Sequence, residues 1–100
     1  MKHTVLKNSY KANGSSYRGE MDVSYERLVE VFGEPEEGDG YKVQKEWTIE
    51  FEDGEIATIY DWKWGYEYNG KDGTHYTEVP TWNIGGHSIV VVDRIKELVK

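Results

Sequence analysis

Tyr60-Asp61-Trp62-Lys63-Trp64-Gly65-Tyr66-Glu67-Tyr68 sets a ring-bearing side chain at every second position. A period of two is that of an extended strand, so the five rings are predicted to share one face of a sheet. No helix would align them. Two readings of the stripe stay open. Large apolar side chains usually go inside, which would put Tyr60, Trp62 and Trp64 in the core under helices. Alternatively the distal rings form a stacking platform for a ligand.

Upstream, Glu52-Asp53-Gly54-Glu55 carries the Asp-Gly signal of a tight hairpin. Tyr41 to Phe51 alternates as a strand, with Val43, Trp47, Ile49 and Phe51 on one face. With Asp53 and Gly54 as the two turn residues, Phe51 faces Ile56, Ile49 faces Thr58, Trp47 faces Tyr60 and Val43 faces Trp64. Register and hydrophobic pattern then agree. Downstream, residues 69–73 form a second turn, and Thr74 to Ile84 reads as a third strand. Tyr76, Trp82 and Ile84 share its aromatic side. Pro80 makes that strand an edge or breaks it.

Residues 3–7 are predicted to be a short strand. Residues 8–19, with Asn13-Gly14-Ser15-Ser16, read as a flexible loop whose Tyr10, Tyr17 and Arg18 are the side chains a ligand would notice. Asp22 or Ser24 caps a helix in which Tyr25, Leu28, Val29 and Phe32 form one apolar stripe, stopped by Gly33 and Pro35. A second stripe, Ser88, Val91, Val92, Ile95, Leu98 and Val99, predicts a C-terminal helix, with a buried strand over the β-branched run Ile89-Val90-Val91-Val92 as the alternative. Lys96 and Lys100 suit its negative end. The expectation is a single α+β domain over residues 1–100, an antiparallel three- to four-stranded meander with two helices packed on one face. Helices of ten residues span about 15 Å, whereas a strand from Ile56 to Tyr68 spans roughly 43 Å. Cover for Tyr66 and Tyr68 must come from the N-terminal loop, a ligand or a second subunit, and the last of these would make a homodimer.

Composition narrows the function classes. A net charge of −7, with 12 Lys and Arg against 19 Asp and Glu, leaves no basic patch for nucleic acid. The acids are spread along the chain and give solubility. There is no cysteine, which removes disulfides, thiolate metal sites and cysteine nucleophiles. No apolar run approaches the roughly 20 residues that span a bilayer. Residues 1–7 lack the hydrophobic region of a signal peptide, so the expected location is cytoplasmic. The aromatic content of 14%, in a chain only 37% hydrophobic, must supply much of the core or a binding surface.

Gly85-Gly86-His87-Ser88 is the candidate anion site. Glycines before a helix let backbone N–H groups approach a phosphate, Ser88 caps or donates, and His87 adds a proton donor. An ordinary strand-to-helix turn has the same sequence. His75-Tyr76-Thr77 carries the His-x-Thr spacing of two-histidine phosphoesterases, but the second copy is missing. Scattered histidines and the acidic run 34–39 lack metal-ligand spacing, so no metal and no cofactor is expected. Asp61, Lys63 and Glu67 read as a solvated polar face.

Leu28-Val29-Glu30-Val31-Phe32-Gly33-Glu34-Pro35, Tyr41-Lys42-Val43, Glu46 to Gly54, Ala57 to Lys63 and Trp82-Asn83-Ile84-Gly85-Gly86 together resemble small, uncharacterised proteins carried by tailed bacteriophages. The resemblance spans roughly residues 24–86 and carries no assigned catalytic residues. It implies a viral origin, action in the cytoplasm of the infected bacterium, and a counter-defence role. The first expectation is a non-enzymatic sponge for a nucleotide-type immune signal. Trp62, Trp64, Tyr66, Tyr68 and Trp82 would supply rings, Gly85, Gly86, His87 and Ser88 the anion contacts, and Arg18, Lys63 or Lys71 nearby charge. The alternative is an inhibitor that binds a host defence protein through an acidic, aromatic-rich surface. A hydrolase of such a signal is the third.

Overall fold

The Asp-Gly hairpin forms with one residue more than a two-residue turn. Phe51 N–H donates to Glu55 O at 2.9 Å and Gly54 N–H to Phe51 O at 2.8 Å. Gly54, at φ 91°, supplies the left-handed residue that closes a three-residue loop. The pairing is therefore Trp47 with Ile59, Ile49 with Ala57 and Glu46 with Tyr60. This is one residue away from the register expected from sequence. A one-residue slip turns a strand over, so Tyr60 leaves the face of Trp47 and Ala57 and Ile59 take its place.

The computed structural model describes residues 1–100. The elements are β1 (His3–Leu6), β2 (Ser16–Asp22), α1 (Tyr25–Phe32), β3 (Glu36–Glu37), β4 (Lys45–Phe51), β5 (Ile56–Tyr60), α2 (Tyr66–Asn69), β6 (Thr81–Gly86) and α3 (Val90–Val99). The fold is α+β, with one open antiparallel sheet in the order β1-β4-β5-β6-β2. β3 pairs β4 beyond β1. The sheet has six strands rather than three or four. Only β4, β5 and β6 form the expected meander. Residues 16–19, read as loop, belong to β2, and β6 begins after Pro80. The expected third strand over 74–80 is instead loop and a short 3-10 turn at Tyr76–Glu78.

The aromatic stripe does not continue as a strand. β5 ends at Tyr60, Lys63 adopts φ 65°, and Tyr66–Asn69 is helical. The cause is Asp61, which is fully buried. Its carboxylate accepts from Gln44 N–H at 2.8 Å, Lys45 N–H at 3.0 Å and Gln44 Nε2 at 2.7 Å. Donors that a longer ladder would use go to this side chain, and Lys63 N–H turns to Lys42 O at 2.7 Å. Equal ring spacing describes only side chains. It carries no information about where the backbone's own partners lie.

Trp47, Ile49, Ala57, Ile59, Trp82, Ile84 and Met21 form the core face of the sheet, joined by Leu28 and Phe32 of α1 and Val91 and Ile95 of α3. Ser24 caps α1, accepting from Arg27 N–H at 3.0 Å, and Gly33 ends it at φ 82°. Trp47 and Trp82 meet edge to face, centroids 5.4 Å apart. Their indole N–H groups donate to Gly33 O at 2.8 Å and Val79 O at 3.2 Å. Each fully buried aliphatic side chain here stabilises by about 1.5–3 kcal/mol.

The opposite face carries Glu46, Thr48, Thr58, Tyr60, Asn83 and Gly85, placed together by the same register. Residues 7–15 cross it as a strap. Lys7 bonds Glu34 O, Asn8 N–H donates to Glu36 at 2.7 Å, Lys11 pairs Glu50 at 2.9 Å, and His87 Nε2 meets Asn13 O at 2.9 Å. No helix is long and apolar enough to cross a membrane.

Candidate functional site

An open pocket of about 290 Å³ lies on the second face, between the strap and the chain leaving β5. Ser15, Glu46, Thr58, Tyr60, Trp62 and Gly85 line it. β4 and β5 fix its floor, because Glu46 pairs directly with Tyr60 and Thr58 with Gly85. A Cβ on residue 85 would fall 2.5 Å from Thr58 Oγ1 and 3.3 Å from Tyr60 Cε1. Glycine at this position lets the Thr58 hydroxyl and the Tyr60 ring lie across β6.

Two polar groups at this pocket lack the partners their chemistry asks for, and one large ring stands partly in solvent. The Glu46 carboxylate is half-buried, pairs with no cation, and accepts no hydrogen bond. Its pKa is raised above the usual glutamate range, first by burial and then by Glu36 and Asp39. The Ser15 hydroxyl is buried with no hydrogen-bond partner. The Trp62 indole is 42% exposed, a large ring left to solvent. Burial also raises the Tyr60 phenol, with Asn83 pulling the other way.

Charge at the rim is positive in an otherwise acidic protein. Lys42 Nζ and Lys63 Nζ each stand 5.5 Å from the Trp62 ring centroid. Neither lysine has a carboxylate within ion-pair distance. The Lys63 N–H to Lys42 O bond and the Asp61 carboxylate hold the two loops side by side. Tyr60 stands perpendicular to Trp62, centroids 6.4 Å apart. An exposed indole, a hydroxyl-bearing wall, an acceptor on the floor and two lysine cations beside the ring suit a flat, phosphorylated ligand.

Of the rings expected to bind, only Trp62 reaches this pocket. Trp82 is fully buried in the core, and Trp64 packs half-buried against it. Tyr66 is 50% exposed on α2, and Tyr68 leans on Tyr41 at 5.2 Å. The anion-site reading of residues 85–88 is also corrected. Gly85 and Gly86 are ladder residues of β6, between Thr58 and Ala57 on one side and Tyr17 and Ser16 on the other. Gly86 lets α3 approach, since a Cβ there would meet Val91 Cγ2 and Ile56 O, each at 2.8 Å. Ser88 accepts from Val90 N–H at 3.3 Å and His87 is turned to Asn13. Arg18 is engaged by Gly86 O at 2.9 Å and His87 O at 3.0 Å. His75 and Thr77 bond each other at 2.8 Å.

Ser15, Glu46, Thr58 and Lys42 were not expected at a site. Glu46 sits at a polar position of an alternating strand, which resembles any solvated residue until the strap is in place. No protein-family model matches this chain, and no curated protein matches it. No group of three or more His, Asp or Glu side chains is placed to hold a metal ion.

Proposed function

We propose that this chain is a non-catalytic binding protein that sequesters a small nucleotide-type ligand at the Trp62 pocket. In this reading it serves a tailed bacteriophage by withdrawing a nucleotide immune signal in the cytoplasm of the infected cell. One observation carries the reading: an exposed indole, flanked by two lysines without carboxylate partners, lines the same opening as an unpartnered carboxylate and hydroxyl. Stacking a base on Trp62 contributes about 1–3 kcal/mol. Lys42 and Lys63 are long enough to leave the ring and take phosphate oxygens. The phage setting rests on the sequence resemblance alone.

Calorimetry against a panel of cyclic, linear and ADP-ribose-type nucleotides tests the proposal. Binding of at least one, with the ligand recovered unchanged by chromatography, is the expected result. Silence across the panel ends it, and recovery of a cleaved product makes the protein an enzyme.

A second reading has its own observation. Tyr41 and Tyr66, 53% and 50% exposed, flank a groove of about 230 Å³ beside Lys45 and Glu67. Exposed tyrosines at a groove are hot-spot chemistry for a protein partner, and β2 leaves one sheet edge unpaired. An inhibitor of a host defence protein would bind there. Retention of a defined defence protein, lost in Tyr41→Ala with Tyr66→Ala, separates it from the sponge.

A further inference from the structure

The nucleotide-binding reading above leaves the base unnamed, and the pocket floor bears on it. We propose that the base held at the Trp62 pocket is guanine, read through its Watson–Crick edge by the Glu46 carboxylate.

An ionised carboxylate accepts and cannot donate, and its two oxygens suit two adjacent donors. Guanine presents such a pair, the ring N1–H beside the exocyclic amino group. Adenine and cytosine each offer one amino donor next to a ring nitrogen acceptor, which would face the second carboxylate oxygen. Uracil flanks its single N–H with two carbonyl oxygens, so both repel. A half-buried acceptor left facing an acceptor loses its water without gaining a bond, and this discriminates more sharply than stacking, which any base satisfies.

The layout accommodates this edge. Tyr60 stands between the two recognition groups, opposite Glu46 in the ladder and perpendicular to Trp62 at 6.4 Å. A ring lying on Trp62 can extend its edge across Tyr60 to the Glu46 side of the pocket. The 290 Å³ volume lies at the small end of ligand pockets, which run about 300–1,000 Å³. It accommodates a base and leaves sugar and phosphate at the rim, where Lys42 and Lys63 stand. Glu46 has no protein partner to give up. Its placement opposite a tyrosine and beside like charge would be costly without an external donor.

The test is titration calorimetry with guanosine, inosine and adenosine 5′-monophosphates against the wild-type chain, Glu46→Gln and Trp62→Ala. Inosine monophosphate keeps N1–H and lacks the amino group. The expected order is guanosine tightest, inosine weaker by roughly tenfold and adenosine weaker again. Glu46→Gln should lower guanosine monophosphate affinity at least roughly tenfold with its unfolding transition intact, and Trp62→Ala should weaken all three alike. Adenosine monophosphate binding as tightly as guanosine, or Glu46→Gln leaving guanosine binding unchanged, overturns the base assignment and leaves nucleotide binding standing. No binding of any of the three overturns the base assignment, and the nucleotide-binding reading falls with it only if the cyclic, linear and ADP-ribose-type panel is silent as well.

Discussion

Glu46 and Tyr60 occupy directly opposed positions of the β4–β5 ladder and rise from the same face of the sheet. That face is the one the helices leave free. The pairing exists because Glu52 joins Asp53 and Gly54 in a three-residue hairpin loop that Gly54 closes at φ 91°. A two-residue turn would have sent Tyr60 into the core beside Trp47 and left no wall for the pocket.

Trp62 should matter for binding and little for folding. It is 42% exposed and contributes no side chain to the core cluster. Trp62→Ala is expected to weaken nucleotide binding by about 1–3 kcal/mol. Its effect on stability should stay within about 0.5 kcal/mol. Calorimetry and denaturant melts on the same preparation check both. A loss of stability as large as that of a core substitution would return Trp62 to a structural role.

The carboxylates predict an unusual pH profile. Burial raises the pKa of both Glu46 and Asp61, so each holds its proton more tightly folded than unfolded. Their ionisation opposes folding at neutral pH, and this opposition is removed as pH falls through the raised pKa values toward the ordinary range. Asp39, held low by the N–H groups of Val43 and Tyr41, and Asp53, held low by Arg94, act in the other sense. Their stabilisation is complete above the ordinary aspartate range and lost as pH falls through the lowered values. The thermal midpoint should therefore peak on the mildly acidic side of neutral. Glu46→Gln should flatten the acid-side rise and raise stability slightly at neutral pH, while weakening guanosine monophosphate binding.

Gly86→Ala should destabilise by about 1–3 kcal/mol through overpacking. The added carbon meets Val91 Cγ2 and the Ile56 carbonyl at 2.8 Å, one on α3 and one in the backbone. Gly54→Ala meets nothing within 4 Å and carries only the strain of φ 91°, about 1–2 kcal/mol. Denaturation midpoints of the two variants separate packing from backbone strain. Nucleotide affinity should survive Gly86→Ala, since residue 86 touches no ligand in the proposed site.

Asp61→Ala should cost at least about 2 kcal/mol, because it strands the N–H groups of Gln44 and Lys45 in a buried place. It should also reduce affinity, because the loops that carry Lys42 and Trp62 lose their common anchor. Asp61→Asn keeps one acceptor oxygen and should fall between the two. Melts and titrations of both variants decide; an unaffected Asp61→Ala would contradict the anchor.

Elements with local punctuation were legible in the sequence. Ser24, Gly33 and the 25–32 stripe delimit α1 within its own residues, and the C-terminal stripe does the same for α3. The hairpin was legible as a hairpin, but its register rested on whether Glu52 belonged to the strand or to the loop. What failed depended on distant partners. Asp61 ends β5 by accepting from residues 16 and 17 positions earlier in the chain. Trp82 and Trp62 are the same residue type, and only tertiary packing sends one to the core and the other to solvent. The pocket needs the strap, β4, β5 and β6 together, and no single segment signals it.

A buried aspartate that fastens two loops also sets how a ligand should arrive. The wall bearing Trp62 is already in place, so capture needs no slow closure and little ordering entropy. Association should be single-exponential and linear in ligand concentration. Differences among ligands and variants should then reside in how long the complex lasts rather than in how fast it forms.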